Sequence, residues 1–305
     1  MSTARRRAPA RSGAPVRSRA LRTASRRYPV VAVVAAAAAV LGLIGIHDPG
    51  PAGPGQAAAA VRRIEQSPPP PLFPDAEVRA WSARLAEQRR AADALYARWR
   101  AGHGTVRDDP AFVRWAANHV PDPPSAAERA AGLGQARRLA RTRTAAGRAA
   151  AAWLAAHGEQ DIWRLYLDDQ RELLPRAEGE AARDRLDAAL QLAGTIGVRL
   201  AGHYRQPYPF VLDPALRPDP AATRDTGCAC AYPAAPAVRS SAAVAVLTAL
   251  APRRAAEYRW MQVQVVHARL YTADHLTGDL LAGVLLGSLV GDYIRAADSA
   301  GKSRA

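Results

Sequence analysis

"ARLYTADHLTGDLLAGVLLG", residues 268–287, decides how the rest of the chain is read. From Leu280 to Gly291 no residue is charged, and Gly283, Gly287 and Gly291 recur every fourth position. At 1.5 Å per residue that run is short for a bilayer, and Asp279 interrupts it on one side. A helix apolar nearly all round and too short to span a membrane belongs in the centre of a helical domain, with its glycines admitting a neighbour closely.

The composition outside this helix points the same way. Of 305 residues, 49% are apolar, alanine dominates, arginine and leucine follow, and β-branched or aromatic runs are scarce. The chain therefore reads as an all-α bundle forming one domain over residues 74–297. An amphipathic helix is expected from Asp75 to about Arg100, with Trp81, Leu85, Ala92, Leu95, Tyr96 and Trp99 on its apolar face. "DPAFVRWAANHV" follows as a short helix with an Asp cap and Pro in its first turn, then a long Ala-Arg helix from Ser125 to His157 with a break expected near Gly132 or Gly147. Glu159–Leu174, Ala181–His203, Val238–Leu250, Arg253–Tyr271 and Asp274–Ala297 complete the expected bundle. Between them, the proline-rich stretch Tyr204–Tyr232 reads as a long functional loop, and residues 298–305 read as a tail.

The formal charge of +15 invites a nucleic-acid reading. Nine arginines and no acidic residue precede Tyr28, so removing that basic tail, residues 1–27, leaves about +6. No aromatic-basic interleaving marks a nucleic-acid surface, and none is expected as a partner. Tyr28 to Ile46 is uncharged and long enough to nearly cross a hydrocarbon core. With its basic flank retained in the cytoplasm, the remainder is exported. The segment serves as a single-pass anchor or, if cleaved among the small residues that follow, as a signal for secretion. "SRRYPVV", 25–31, also resembles a twin-arginine signal, with Pro29 a mismatch. Residues 47–73, rich in Pro, Gly and Ala with four consecutive prolines, read as an extended spacer between membrane and domain. Export permits disulfides, and the two cysteines are Cys228 and Cys230; a strained ring, a bond to another chain or two free thiols are all open. They supply too few ligands for zinc.

His275 and Asp279, four apart, would share a helical face on which the carboxylate orients the imidazole. Arg269, six residues earlier, supplies a fork donor suited to phosphate oxygens. The bland reading of an isolated His-x3-Asp is a helix cap and a carboxylate paired with a buried Arg. A catalytic metal is not expected, because one His and one Asp fall short of three protein ligands, and no cofactor is called for. Arg-x5-His-x3-Asp followed by "LLAGVLLG" resembles the third signature of the type 2 phosphatidic acid phosphatase and vanadium haloperoxidase superfamily. "CAYPAAPAVRSSAAVAVLTALAP" resembles the frame of its second signature, and "LAGHYRQPYPFVLDP" that of the first, so the likeness covers roughly residues 180–297.

The resemblance implies a phosphatase-like helical bundle in which His275 attacks phosphorus, Asp279 orients it and Arg269 holds equatorial oxygens. Other family positions are replaced: Ala201 stands for the first-signature Lys, Tyr208 for its Arg, Ala234, Ala235 and Pro236 for Ser-Gly-His, and Ala268 for the Ser before the third-signature Arg. Loss of the general acid alone costs on the order of 10² to 10⁴ in rate, and losing the cationic ligands costs several kcal/mol more of transition-state stabilisation. Arg205, His203, Arg239 and Ser240 are the residues placed to rebuild the site, with Arg205 and Arg239 as substitute phosphate ligands. Two functions follow. One is an exported phosphomonoesterase acting without metal through phospho-His275 on a phosphate ester or phospholipid headgroup. The other is a non-catalytic relative that binds an anion or a protein partner. Vanadate-dependent halide oxidation needs the same cationic cradle and suffers the same losses.

Overall fold

The computed structural model describes residues 55–217 and 230–302, and no strand occurs among them. The elements are α1 (Gly55–Gln66), α2 (Asp75–His103), α3 (Asp109–Ala117), α4 (Ala126–Arg141), α5 (Ala145–His157), α6 (Asp161–Arg171), α7 (Arg176–Tyr204), the short α8 (Pro209–Leu212), α9 (Ala235–Leu250), α10 (Ala255–Tyr271) and α11 (Thr277–Lys302). The basic tail, the apolar segment 28–46, Cys228 and residues 303–305 lie outside the described residues.

The architecture is all-α, and α11 runs through its middle. Leu280, Val284, Leu286, Leu289 and Val290 are fully buried. The stretch Thr277–Ala296 is long and apolar enough to cross a bilayer, yet its most apolar window is 83% buried inside the body. The glycines carry out the role their spacing implies. A Cβ on Gly287 would lie 2.0 Å from the Val238 carbonyl oxygen, one on Gly283 2.7 Å from that of Ala234, and one on Gly291 2.3 Å from Ala245 Cβ. Helix α9 answers with alanines at 237, 242 and 243, all fully buried. Small residues on both helices bring the two backbones together, and α2, α7 and α10 close around the pair.

Helix α2 buries Val78, Trp81, Leu85, Ala92 and Trp99, the face its periodicity implies. Helix α3 is capped by Asp108, whose side chain accepts from Ala111 N–H, and its Phe112 ring stacks on Tyr293 of α11 at 3.8 Å between centroids. A shallow depression of about 650 Å³ lies beside it, lined by Val106, Arg107, Asp108, Asp109 and Pro110. Tyr293 is bonded to Asp108 N–H there. Tyr293 lies 18 residues beyond His275, roughly 27 Å at 1.5 Å rise per residue, so this depression is remote from the predicted chemistry.

Several expectations are corrected. The spacer expected over 47–73 is helical from Gly55 to Gln66, and Ile64 and Phe73 are buried. Its segment is tied down by distant partners: Arg63 Nε donates to Asp161 at 2.9 Å, Trp153 Nε1 donates to the Ser67 carbonyl at 2.7 Å, and Gln264 both accepts from Phe73 N–H at 3.1 Å and donates to its carbonyl at 2.9 Å. The folded body thus begins before residue 74. The 125–157 helix breaks at Thr142–Thr144, three residues before Gly147. Thr144 caps α5 by accepting from Gly147 N–H, its own N–H donates to Tyr271 Oη at 2.7 Å, and Arg143 Nε donates to the Tyr271 carbonyl at 2.6 Å. The proline-rich loop contains α8 and a 3₁₀ turn at Pro214–Leu216, and α11 continues beyond residue 297 to Lys302. Cys230 is disulfide-bonded.

Candidate active site

The three segments read as signatures meet at the N-terminal end of α11. Helix α10 ends at Tyr271, and the chain reverses through Ala273, which takes a left-handed φ of +60°. That conformation costs an L-residue about 1 kcal/mol and is usually left to glycine at helix ends. It lets the Arg269 carbonyl accept from both Asp274 N–H, at 3.1 Å, and His275 N–H, at 3.3 Å. Helix α11 therefore starts at Thr277, three residues later than expected, and His275 stands outside it.

This offset overturns the expected His–Asp pairing. Only within a helix does a spacing of four stack two side chains on one face. His275 Nδ1 instead meets the Ala231 carbonyl oxygen at 2.9 Å. A carbonyl has no proton to give, so Nδ1 carries the hydrogen and Nε2 keeps its lone pair. Asp279 turns back on the helix start: one oxygen accepts from Leu276 N–H at 2.9 Å and the other from Arg129 Nη1 at 3.3 Å. Arg129, from α4, also donates through Nη2 to the Pro207 carbonyl at 3.0 Å. The carboxylate thus satisfies an otherwise open N–H at the helix N-terminus and pairs with a part-buried arginine, close to the bland reading of the motif.

Both groups are deeply buried, His275 at 4% exposure and Asp279 at 0%. Burial pushes the His275 pKa down to about 4; the charge of Asp274 opposes the shift and that of Arg269 adds to it. Burial pushes Asp279 up to about 6, against the Leu276 N–H and Arg129, which favour its charged form. Tyr208 presents its ring to His275 in a T-shaped contact at 5.7 Å and stacks on Phe210 at 5.3 Å. The segment Ala231–Ala234 is pinned to the same place, with Ala231 N–H donating to the Gln206 carbonyl and Ala234 N–H to the Asp279 carbonyl, each at 3.0 Å.

The arginines divide. Arg269 Nη2 donates to the Ala155 carbonyl at 3.1 Å and to Glu159 Oε1 at 3.3 Å, while Nη1 donates to Asp274 at 3.4 Å. Arg239 lies across α7 where Gly194 leaves room for its guanidinium, and its Nη1 donates to the other oxygen of Glu159. Arg239 is therefore brought to Arg269 through a shared carboxylate. Arg205 is not: it is exposed, caps α7 in a left-handed conformation at φ 48°, and its Nε donates back to the Gly202 carbonyl at 3.3 Å. His203 is likewise exposed, and Ser240 is buried with its hydroxyl donating to the Ala237 carbonyl at 3.2 Å. None of these three joins the site.

Glu159 and Arg129 are the residues that sequence reading missed. Glu159 stands in "HGEQD", residues 157–161, a polar knot where α5 gives way to α6, and that clustering is the signal the sequence offers. Arg129 gave none beyond its place in a well-capped helix. Among the described residues, no group of three His, Cys, Asp or Glu side chains is placed to hold a metal. No protein-family model matches the chain, and no curated protein matches it.

Proposed function

We propose that this chain is an exported, membrane-tethered protein of the type 2 phosphatidic acid phosphatase kind in which efficient phosphomonoester hydrolysis has been lost and the helical domain serves a non-catalytic role. The family part of this reading is supported by the meeting of Tyr208, the segment Ala231–Ala234 and the segment Arg269–Asp279, far apart in sequence, around one histidine. The single observation that carries the loss of activity is the uncoupled pair: Asp279 is committed to Arg129 and the α11 start, and His275 is held by a backbone carbonyl.

Chemically this matters because the attack would build positive charge on the imidazole. A carboxylate beside Nδ1–H stabilises that charge, whereas a neutral carbonyl in a dry site does so only by its dipole. The leaving group also lacks a proton donor, since Ala235 and Pro236 carry none. One observation favours a second reading, a slow phosphomonoesterase: the Nδ1–H tautomer leaves the Nε2 lone pair that a nucleophile requires.

The test is phosphate release by the full chain in detergent from aryl phosphates and from dispersed phosphatidate, between pH 4 and 8, beside His275→Ala. The reading predicts equal background release from both proteins. Release that His275→Ala abolishes would sink the non-catalytic reading and establish the slow enzyme.

A further inference from the structure

The guanidinium groups of Arg239 and Arg269 already hold an anion, and it is the protein's own. Glu159 bridges Arg239 and Arg269, one carboxylate oxygen to each. Arg269 additionally meets Asp274, so two cations face two carboxylates and the cluster is balanced without any ligand. All four side chains are largely withdrawn from solvent, with 12% exposure at Arg269 and 30% at Glu159. Arg269 joins the cluster to the site, because its carbonyl accepts from His275 N–H at 3.3 Å.

Glu159 is held there by its backbone. It follows Gly158, where a Cβ would lie 2.5 Å from the Leu154 carbonyl and 2.8 Å from Val265, so α5 is sealed against α10 at this junction. The next turn is fixed by Trp163 Nε1, which donates to the Gly158 carbonyl at 2.7 Å. A planar carboxylate between two forks presents the same acceptors that one edge of a tetrahedral oxyanion would.

We propose that Glu159 is a built-in occupant of an oxyanion site, a carboxylate plug that keeps free phosphate or a phosphoryl group off Arg239 and Arg269. The proposal rests on the inherited-site reading above, but it fails by a different readout. An oxyanion can enter only if Glu159 leaves, so removing its charge should unmask the pair. Glu159→Gln keeps the shape and one acceptor, and Glu159→Ala empties the position.

The experiment is titration of the full chain in detergent with inorganic phosphate, followed by ³¹P line broadening, for wild type, Glu159→Gln, Glu159→Ala and the double variant Glu159→Gln with Arg269→Gln. The proposal predicts phosphate binding at least about tenfold tighter in both single variants than in wild type, because charge-assisted donors are released. The double variant should lose the gain. Equal binding across the set, or a gain that survives loss of Arg269, would overturn it. Single variants that no longer fold by circular dichroism would overturn it as well, since Glu159 would then be a structural tie and not a plug. Failure of the functional reading appears separately, as His275-dependent phosphate release by the wild-type chain.

Discussion

Substituting His275 and Asp279 one at a time should tilt the stability of the protein with pH in opposite directions. His275 has a folded pKa of about 4 against an ordinary 6.5, so the folded chain binds fewer protons than the unfolded one between those values. Its contribution is complete above pH 6.5 and is lost as pH falls toward 4, by about 3 kcal/mol at roughly 1.4 kcal/mol per unit. Asp279 is displaced the other way, from 3.8 to about 6. Its contribution is complete below pH 4 and is lost as pH rises through 6, again by about 3 kcal/mol. In the wild-type chain the two slopes largely cancel.

His275→Asn keeps an N–H toward the Ala231 carbonyl but cannot be protonated, and Asp279→Asn keeps an acceptor for Leu276 N–H but cannot ionise. Urea unfolding followed by tryptophan fluorescence at pH 4, 5, 6 and 7 isolates each term as a difference from wild type. The stability of His275→Asn relative to wild type should rise by about 3 kcal/mol on going from pH 6.5 to 4, and that of Asp279→Asn should rise by a similar amount from pH 4 to 6. Three parallel profiles would show that neither group is held as the structure places it. Slopes of reversed sign would mean an ion pair between His275 and Asp279, and would refute the uncoupled arrangement.

Two further outcomes test the packing that positions the site. Gly287→Ala should destabilise by about 3 kcal/mol or more, because its Cβ would meet the Val238 carbonyl oxygen at 2.0 Å and α9 cannot retreat without opening the core; a lowered denaturation midpoint with unchanged slope checks it. Gln264→Leu should leave the Phe73 N–H and carbonyl unpaired in the interior, costing about 1–3 kcal/mol, and should expose residues 55–73 to limited proteolysis that wild type resists.

The bundle was legible because its signals are local. The glycine spacing of α11, the alanine run of α9 and the aromatic stripe of α2 each report the face an element buries. Helix α1 was not, since its Ala- and Gly-rich sequence matches a linker and its order comes from Asp161, Trp153 and Gln264, far along the chain. The site failed for a sharper reason. A spacing of four implies a shared helical face, but α11 begins after His275, and Leu276 at its cap position has no side-chain acceptor to announce the start. The chain contains the same spacing at His157 and Asp161, where the imidazole does donate to the carboxylate at 3.0 Å. There the two residues belong to different helices, α5 and α6, and the pairing comes from how those helices join. Spacing alone therefore decided neither case. Glu159 and Arg129 act on residues 110 and 150 positions away, beyond the reach of any local pattern.

His275 is neutral, protonated on Nδ1 and held by a backbone carbonyl instead of by Asp279. Nitrogen-15 spectra of the histidine-labelled chain across pH 4 to 8, with the His275 signals identified by their absence in His275→Asn, report tautomer and charge directly. A ring held in this way is Nδ1–H, Nε2-unprotonated and stays neutral until the pH approaches 4. An Nε2–H tautomer, or a ring that gains its second proton near pH 6.5, would contradict it.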